Sequence, residues 1–305
     1  MAFDAFALVL AMLALGYAFQ RFRVLPGDAP QVLNLVILYV CLPAAVLRYA
    51  PRLSLEPALL GVVAVPWLLL LATVVLVGAC ARWLGVRRDE HAVLLLTVAL
   101  SNTSYLGYPL VRALVGEAGL PYAVVYDQFG AFVILSTFGL WVLARYGGEH
   151  TPGAREIAVR ILRFPPLWAL LAGFSVMPAE PPHWIAGGLQ KLSDALLPLA
   201  MLTIGLSVRL ALPRDELRPL AVGLLLKLAV MPLLALALLP LLGLQGVMAQ
   251  ATLLEAAMPS MVTAGALAIA QGLAPRLAAA MVGYGVLLSM ATLPLWAMLA
   301  RSLFA

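Results

Sequence analysis

Apolar residues in this chain do not alternate. They run on for about 20 positions at a time between short clusters of charge, proline and glycine. As an α-helix such a run reaches about 30 Å, the thickness of a bilayer's hydrocarbon core. The strands of a membrane barrel would instead alternate over about 10 residues. The pattern predicts ten helical spans, near residues 3–20, 31–48, 57–81, 92–114, 120–144, 164–178, 185–208, 219–242, 246–271 and 276–300. No basic residue precedes the apolar stretch of the first span, and Arg21 and Arg23 follow it, the wrong polarity for a cleaved signal peptide. The sixth span, opened by Pro165-Pro166, is the shortest.

Composition narrows the class further. Of 305 residues, 64% are hydrophobic and 11% charged, and the mean hydropathy is +1.03. A water-soluble domain is about 45–50% apolar and about 25% charged, and much of its surface stays wet. A soluble enzyme, a secreted disulfide scaffold and a disordered tail are excluded together. The expected class is an all-α integral membrane protein. Cys41 and Cys80 lie inside apolar runs and suggest neither a disulfide nor a metal site.

The net charge of +5 belongs to the loops and not to nucleic-acid binding. Thirteen Lys and Arg residues fall in the turns after spans one, three, five, seven and nine, against five at the opposite ends, with Lys227 inside a span. The positive-inside rule then puts both termini outside, in a multi-pass protein of the cell inner (plasma) membrane.

Five spans per half is an odd number, so a repeat of residues 1–150 in 151–305 enters the membrane inverted. Leu42-Pro43-x-Ala45-x-Leu47 matches Leu197-Pro198-x-Ala200-x-Leu202, and Thr137-x-x-Leu140-Trp141 matches Thr292-x-x-Leu295-Trp296. Both pairs are offset by 155 residues. Inverted repeats with discontinuous helices meeting at a midplane site mark secondary transporters. Gly147–Gly153 is the natural join between the halves.

Two spans carry polar interruptions. Span four reads Ser101-Asn102-Thr103-Ser104, followed by Gly107 and Pro109; span nine reads Glu255-Ala-Ala-Met258-Pro259-Ser260. Proline removes a backbone donor and clashes with the preceding turn. Freed backbone groups persist in a bilayer only where protein or a wet cavity satisfies them. The plain alternative is a proline kink with Ser and Thr bonding back to helix carbonyls. Asn102 and Glu255 both lie roughly 15 Å deep, at the centre of the core. A carboxylate there is costly unless it takes a proton, holds a cation or pairs with a base such as Lys227. Asp127 and Asp194 sit where either would line an outer vestibule. Lys227 either snorkels to the inner surface or meets a buried carboxylate or an anionic substrate.

At these residues the chain resembles the auxin efflux carrier family, which includes plant auxin exporters and bacterial organic-acid carriers. The resemblance runs through Leu42-Pro43-Ala44, Asn102 with Leu106-Gly107-Tyr-Pro109, Asp127, Pro165-Pro166, Pro198 to Gly205, and Leu254-Glu-Ala-Ala-Met-Pro259. It implies a ten-helix, five-plus-five inverted repeat in which broken helices four and nine cross at proline in a transport domain. Helices one, two, six and seven would form a scaffold or dimer-side domain, with a homodimer as the implied assembly. The long loop that many plant auxin exporters carry between spans five and six is missing. A carrier of small carboxylates, such as malonate or malate, fits better.

The chain is more distantly similar to sodium–bile-acid symporters. That likeness puts Ser101-Asn102 and Glu255 at sodium-holding positions, with sodium expected at Asn102 and Glu255. Pro259 stands where those proteins have a cation-binding glutamine, which leaves a two-sodium site incomplete.

The resulting expectation is a secondary transporter that moves a small mono- or dicarboxylate by alternating access, coupled to H+ or Na+ and needing no cofactor. The expected substrate or ion contacts are Ser101, Asn102, Thr103, Pro109, Asp127, Lys227, Glu255, Met258, Pro259 and Ser260. An aromatic-acid uniporter driven by membrane potential and an anion channel are the alternatives, although no ring of like charge or filter motif favours a channel. An enzyme is not expected, because His91, His150 and His183 all fall near loops.

Overall fold

Helix follows helix along the chain in a computed structural model that describes residues 2–52, 56–148, 153, 155, 158–159, 162–207 and 214–304. Residues 149–152 of the expected join, Arg160 and Arg209 of the charge count, and position 208 at the end of the seventh expected span lie outside them. The helices are α1 (Ala2–Phe22), α2 (Ala29–Arg52), α3 (Leu59–Leu84), α4 (Arg88–Ala99), α5 (Tyr108–Leu114) and α6 (Glu117–Gly147). They continue as α7 (Pro165–Ser175), α8 (His183–Ser207), α9 (Leu217–Leu241), α10 (Gly246–Ala257), α11 (Val262–Ala270) and α12 (Pro275–Leu303). Among the described residues, six of them (α2, α3, α6, α8, α9 and α12) are long and apolar enough to cross a membrane. The architecture is all-helical among the described residues, with one isolated bridge, between Ser101 and Ser260, as the extended pairing.

Local sequence explains the ends. Gly85 takes a left-handed φ of 62° to stop α3, a conformation that glycine adopts without strain. Pro165 and Pro275 open α7 and α12, where a missing N–H is not needed. The Arg87 N–H ahead of α4 donates to Glu90 Oε2 at 2.8 Å, and its guanidinium bonds Glu216 at 2.9 Å. The bonds that Arg87 gives Asp89 and Glu216 raise that guanidinium above the usual arginine range.

α4 and α10 are each 12 residues long, roughly 18 Å. Residues 92–98 of α4 and 251–257 of α10 are buried without a break, so these stretches lie inside the protein on every side. α3, α9 and α12 pack on both, α11 also lies on α4, and α6 on α10. On one flank α1 lies along α8, and α2 packs on α7 and α8. The α1–α8 seam is tight because Gly16 and Gly205 face each other. A Cβ built on either would come within 2.9 Å of the other's Cα. With no hydrophobic force between helices in lipid, such backbone approach is what small residues contribute to packing.

Candidate functional site

The two interruptions anticipated in spans four and nine are true breaks, and they meet. After Ala99 the chain extends at Leu100 (φ −99°, ψ 113°). After Ala257 it extends at Met258 (φ −59°, ψ 144°), the conformation that a following proline favours. The run Ser101–Ser104 offers side-chain alternatives to helical backbone bonds, which weakens the helix there. The two extended stretches then lie antiparallel. Asn102 N–H donates to Pro259 C=O at 2.8 Å, and Met261 N–H donates to Leu100 C=O at 2.9 Å. Backbone groups freed in the middle of the protein thereby satisfy one another, as a chain in lipid requires.

Beyond the break a π turn, Thr103–Gly107, leads into α5. Its i→i+5 bonding alters the register of side chains, and Thr103, Ser104 and Tyr108 all reach Asp127. Thr103 and Ser104 (2.7 Å) donate to Asp127 Oδ1, while Tyr108 OH (2.8 Å) and Gln128 Nε2 (2.9 Å) donate to Oδ2. Asp127 itself opens another π turn, Asp127–Ala131, on α6. The indole of Trp67 donates to the Phe129 carbonyl of that turn at 3.1 Å. Four donors on two oxygens make a fully satisfied carboxylate, and charge-assisted bonds of this kind are worth about 1.5–3 kcal/mol each.

Glu255 is the opposite case. It is 0% exposed, and neither carboxylate oxygen has a hydrogen-bond partner. It sits on α10 against the backbone of Gly107. Three further buried atoms of this region also lack partners: Asn102 Nδ2, Gln128 Oε1 and Ser260 Oγ. A cluster of unpartnered donors and acceptors inside a membrane is the pattern of a site built to receive something.

Lys227 lies on a π turn of α9, Leu226–Val230, and is 1% exposed. Its ammonium donates to Val98 C=O at 3.1 Å and to Ser101 Oγ at 2.6 Å. It therefore neither snorkels to the surface nor pairs with Glu255, two of the readings that the sequence left open. The indole of Trp296 satisfies the Leu228 carbonyl of this turn at 3.0 Å.

The comparisons with known proteins agree on a class. A family model described as "membrane transport protein" matches residues 1–297. The chain belongs to this family, the auxin efflux carrier family. An uncharacterized transporter of Methanothermobacter thermautotrophicus is 32% identical over 293 residues, covering 94% of this chain and 95% of that protein. Another uncharacterized transporter, from Methanocaldococcus jannaschii, is 27% identical over 215 residues, covering 67% of this chain and 68% of its own.

In this auxin efflux carrier family member, Ser101, Asn102, Thr103, Asp127, Lys227, Glu255, Met258, Pro259 and Ser260 all belong to the breaks or their immediate surroundings. Pro109 does not. It is the second residue of α5 and lines a cavity of about 650 Å³, together with Tyr49, Tyr108, Arg112, Asp194 and Arg301. Across that cavity Arg112 pairs with Asp194 of α8, and with Glu117 at 3.2 Å. Asp194 thus lines this cavity, whereas Asp127, at 1% exposure, is sealed inside. Ser104 and Gly107 were read from the sequence only as part of the interruption, and Tyr108 and Gln128 were given no role there. Thr103 and Tyr108, five residues apart, would point about 140° away from each other on a regular helix. The π turn brings both to one carboxylate. The signal available was the density of hydroxyl groups around an intramembrane aspartate.

Proposed function

We propose that this protein is a secondary transporter that carries a small mono- or dicarboxylate across the cell inner membrane by alternating access. The observation that carries the reading is the meeting of two broken helices at a cluster of buried, unpartnered polar atoms. The fold read here is ten spans in two inverted sets of five, residues 1–150 and 151–305, with both termini outside. α4–α5 and α10–α11 act as the crossing pair of a moving body. α1, α2, α7 and α8 act as the scaffold against which it rocks.

A carboxylate substrate suits the site because α11 and the turn before α5 begin at the breaks with free N–H groups and partial positive charge. The unpartnered Asn102 amide supplies a further donor. Glu255 is the coupling group. A buried carboxyl with no partner is relieved by taking up a proton or a cation, and the proton is the coupling ion proposed here.

Uptake of radiolabelled malonate and malate into proteoliposomes tests this, with pH and sodium gradients imposed separately. Accumulation driven by the pH gradient, abolished in Glu255→Gln while counterflow exchange persists, is the expected result. Accumulation that follows only sodium replaces the proton with Na+. No uptake of any mono- or dicarboxylate under either gradient sinks the reading.

A further inference from the structure

The break in α4 leaves a specific debt in the backbone. In a continuous helix, Val98 C=O would accept the N–H of Asn102, four residues on. Asn102 N–H is instead turned toward Pro259 C=O. Val98 C=O therefore ends α4 as an orphan acceptor at the negative pole of a helix buried in the middle of the protein. The Lys227 ammonium fills that vacancy, 3.1 Å from the carbonyl, and holds Ser101 Oγ of the break at 2.6 Å. The described salt bridges include none to Lys227, and both oxygens of Glu255 lie without a hydrogen-bond partner.

We infer that Lys227 is a resident cation of the central site. It is a covalently tethered ammonium that occupies the carbonyl end of α4, where a dissociable cation would otherwise be needed, and positions Ser101 and the adjoining break. The inference rests on the reading of the breaks as the transport site and adds to it a division of labour. Lys227 holds the helix end with a tethered donor, and Glu255 is left to take up and release the coupling ion. Three features favour a cation over a mere space-filling side chain. The group is buried, its partners are a helix-terminal carbonyl and a hydroxyl, and the π turn of α9 lifts it out of regular helical register toward them.

Melting of the purified full chain in detergent, followed by tryptophan fluorescence, tests this without knowledge of the substrate. Lys227→Ala opens a space at the orphan carbonyl. It is expected to melt about 5 °C or more below the wild type in choline chloride, whose cation is too large to enter. Methylammonium chloride at about 0.2 M should return at least half of that loss, as a ligand bound to the folded state does. Methanol at the same concentration should return none of it, and the wild-type midpoint should stay within about 1 °C in every solution. Lys227→Met refills the space with an apolar chain and should gain nothing from methylammonium.

Lys227→Ala left unmoved by methylammonium, or a wild type that gains as much, overturns the inference. If Lys227→Ala cannot be purified from choline buffer, the same comparison is read as the yield of monodisperse protein prepared in methylammonium, and an unchanged yield is equally fatal. A failed melting test with successful malonate uptake removes the role of Lys227 alone. A successful melting test with no uptake removes the transport reading and leaves the cation in place.

Discussion

Gly107 and Glu255 touch: a methyl group built on the backbone of Gly107 would overlap the Glu255 carboxylate. A glycine at this point lets an otherwise unpartnered carboxyl sit directly against a main chain. Gly107→Ala is therefore expected to push the carboxyl aside, lowering anion uptake by about tenfold or more. Overpacking of this kind also destabilises by about 1–3 kcal/mol. Gly188→Ala on α8, where an added Cβ meets nothing within 4 Å, should leave uptake and melting temperature unchanged. Equal behaviour of the two variants would detach Gly107 from the site.

Asp127 gathers four donors, and Asn cannot replace it without turning an amide N–H toward two of them. Asp127→Asn is expected to lose about 2–4 kcal/mol of stability, read as a fall in melting midpoint. Thr103→Val, which removes one of the four donors, should lose about 1–2 kcal/mol. A fully stable Asp127→Asn protein would mean that the hydrogen-bond cluster contributes nothing to the fold.

The two prolines should part company. Pro259 lies in the break itself and offers its carbonyl to Asn102. Pro259→Ala adds an N–H donor and frees Met258 from its extended conformation, so inserted protein with uptake reduced about tenfold is expected. Pro109 stands second in α5, behind a π turn, where its missing donor is not required. Pro109→Ala should keep uptake within about threefold of the wild type. Similar losses in both variants would return Pro109 to the central site.

Orientation is open to a direct test. On a background without Cys41 and Cys80, single cysteines at Ala2 and Ser302 should both react with an impermeant maleimide in intact cells. Labelling of one position alone would mean an odd number of spans and would end the inverted-repeat proposal.

Much of this arrangement was legible in the sequence because a bilayer enforces one rule on every span. Polar side chains and proline inside an apolar run must be answered by other protein groups. Asn102, Glu255 and Pro259 announce the breaks for that reason, and depth counted at 1.5 Å per residue puts them at one level. What could not be read were partners that depend on helix register. The π turns at Thr103, Asp127 and Leu226 have no signature in residue periodicity, yet they decide that Tyr108 reaches Asp127 and that Lys227 reaches Val98. For the same reason Pro109 looks like the counterpart of Pro259 on paper, although the chain between Asn102 and Pro109 carries it to the cavity lined by Arg112 and Asp194.

The pairing of the two breaks also bears on how the protein is made. Leu100 C=O and Asn102 N–H find their partners at Met261 and Pro259, which the ribosome supplies only after more than 150 further residues. Until then the first half sits in the bilayer with central backbone groups unanswered, each worth several kcal/mol in hydrocarbon. Biogenesis is therefore a late event, completed when the second half arrives, and the unfinished intermediate needs shelter from lipid. Fragments 1–150 and 151–305 are therefore expected to persist only when they are made together, a result read as the yield of each made alone and co-expressed.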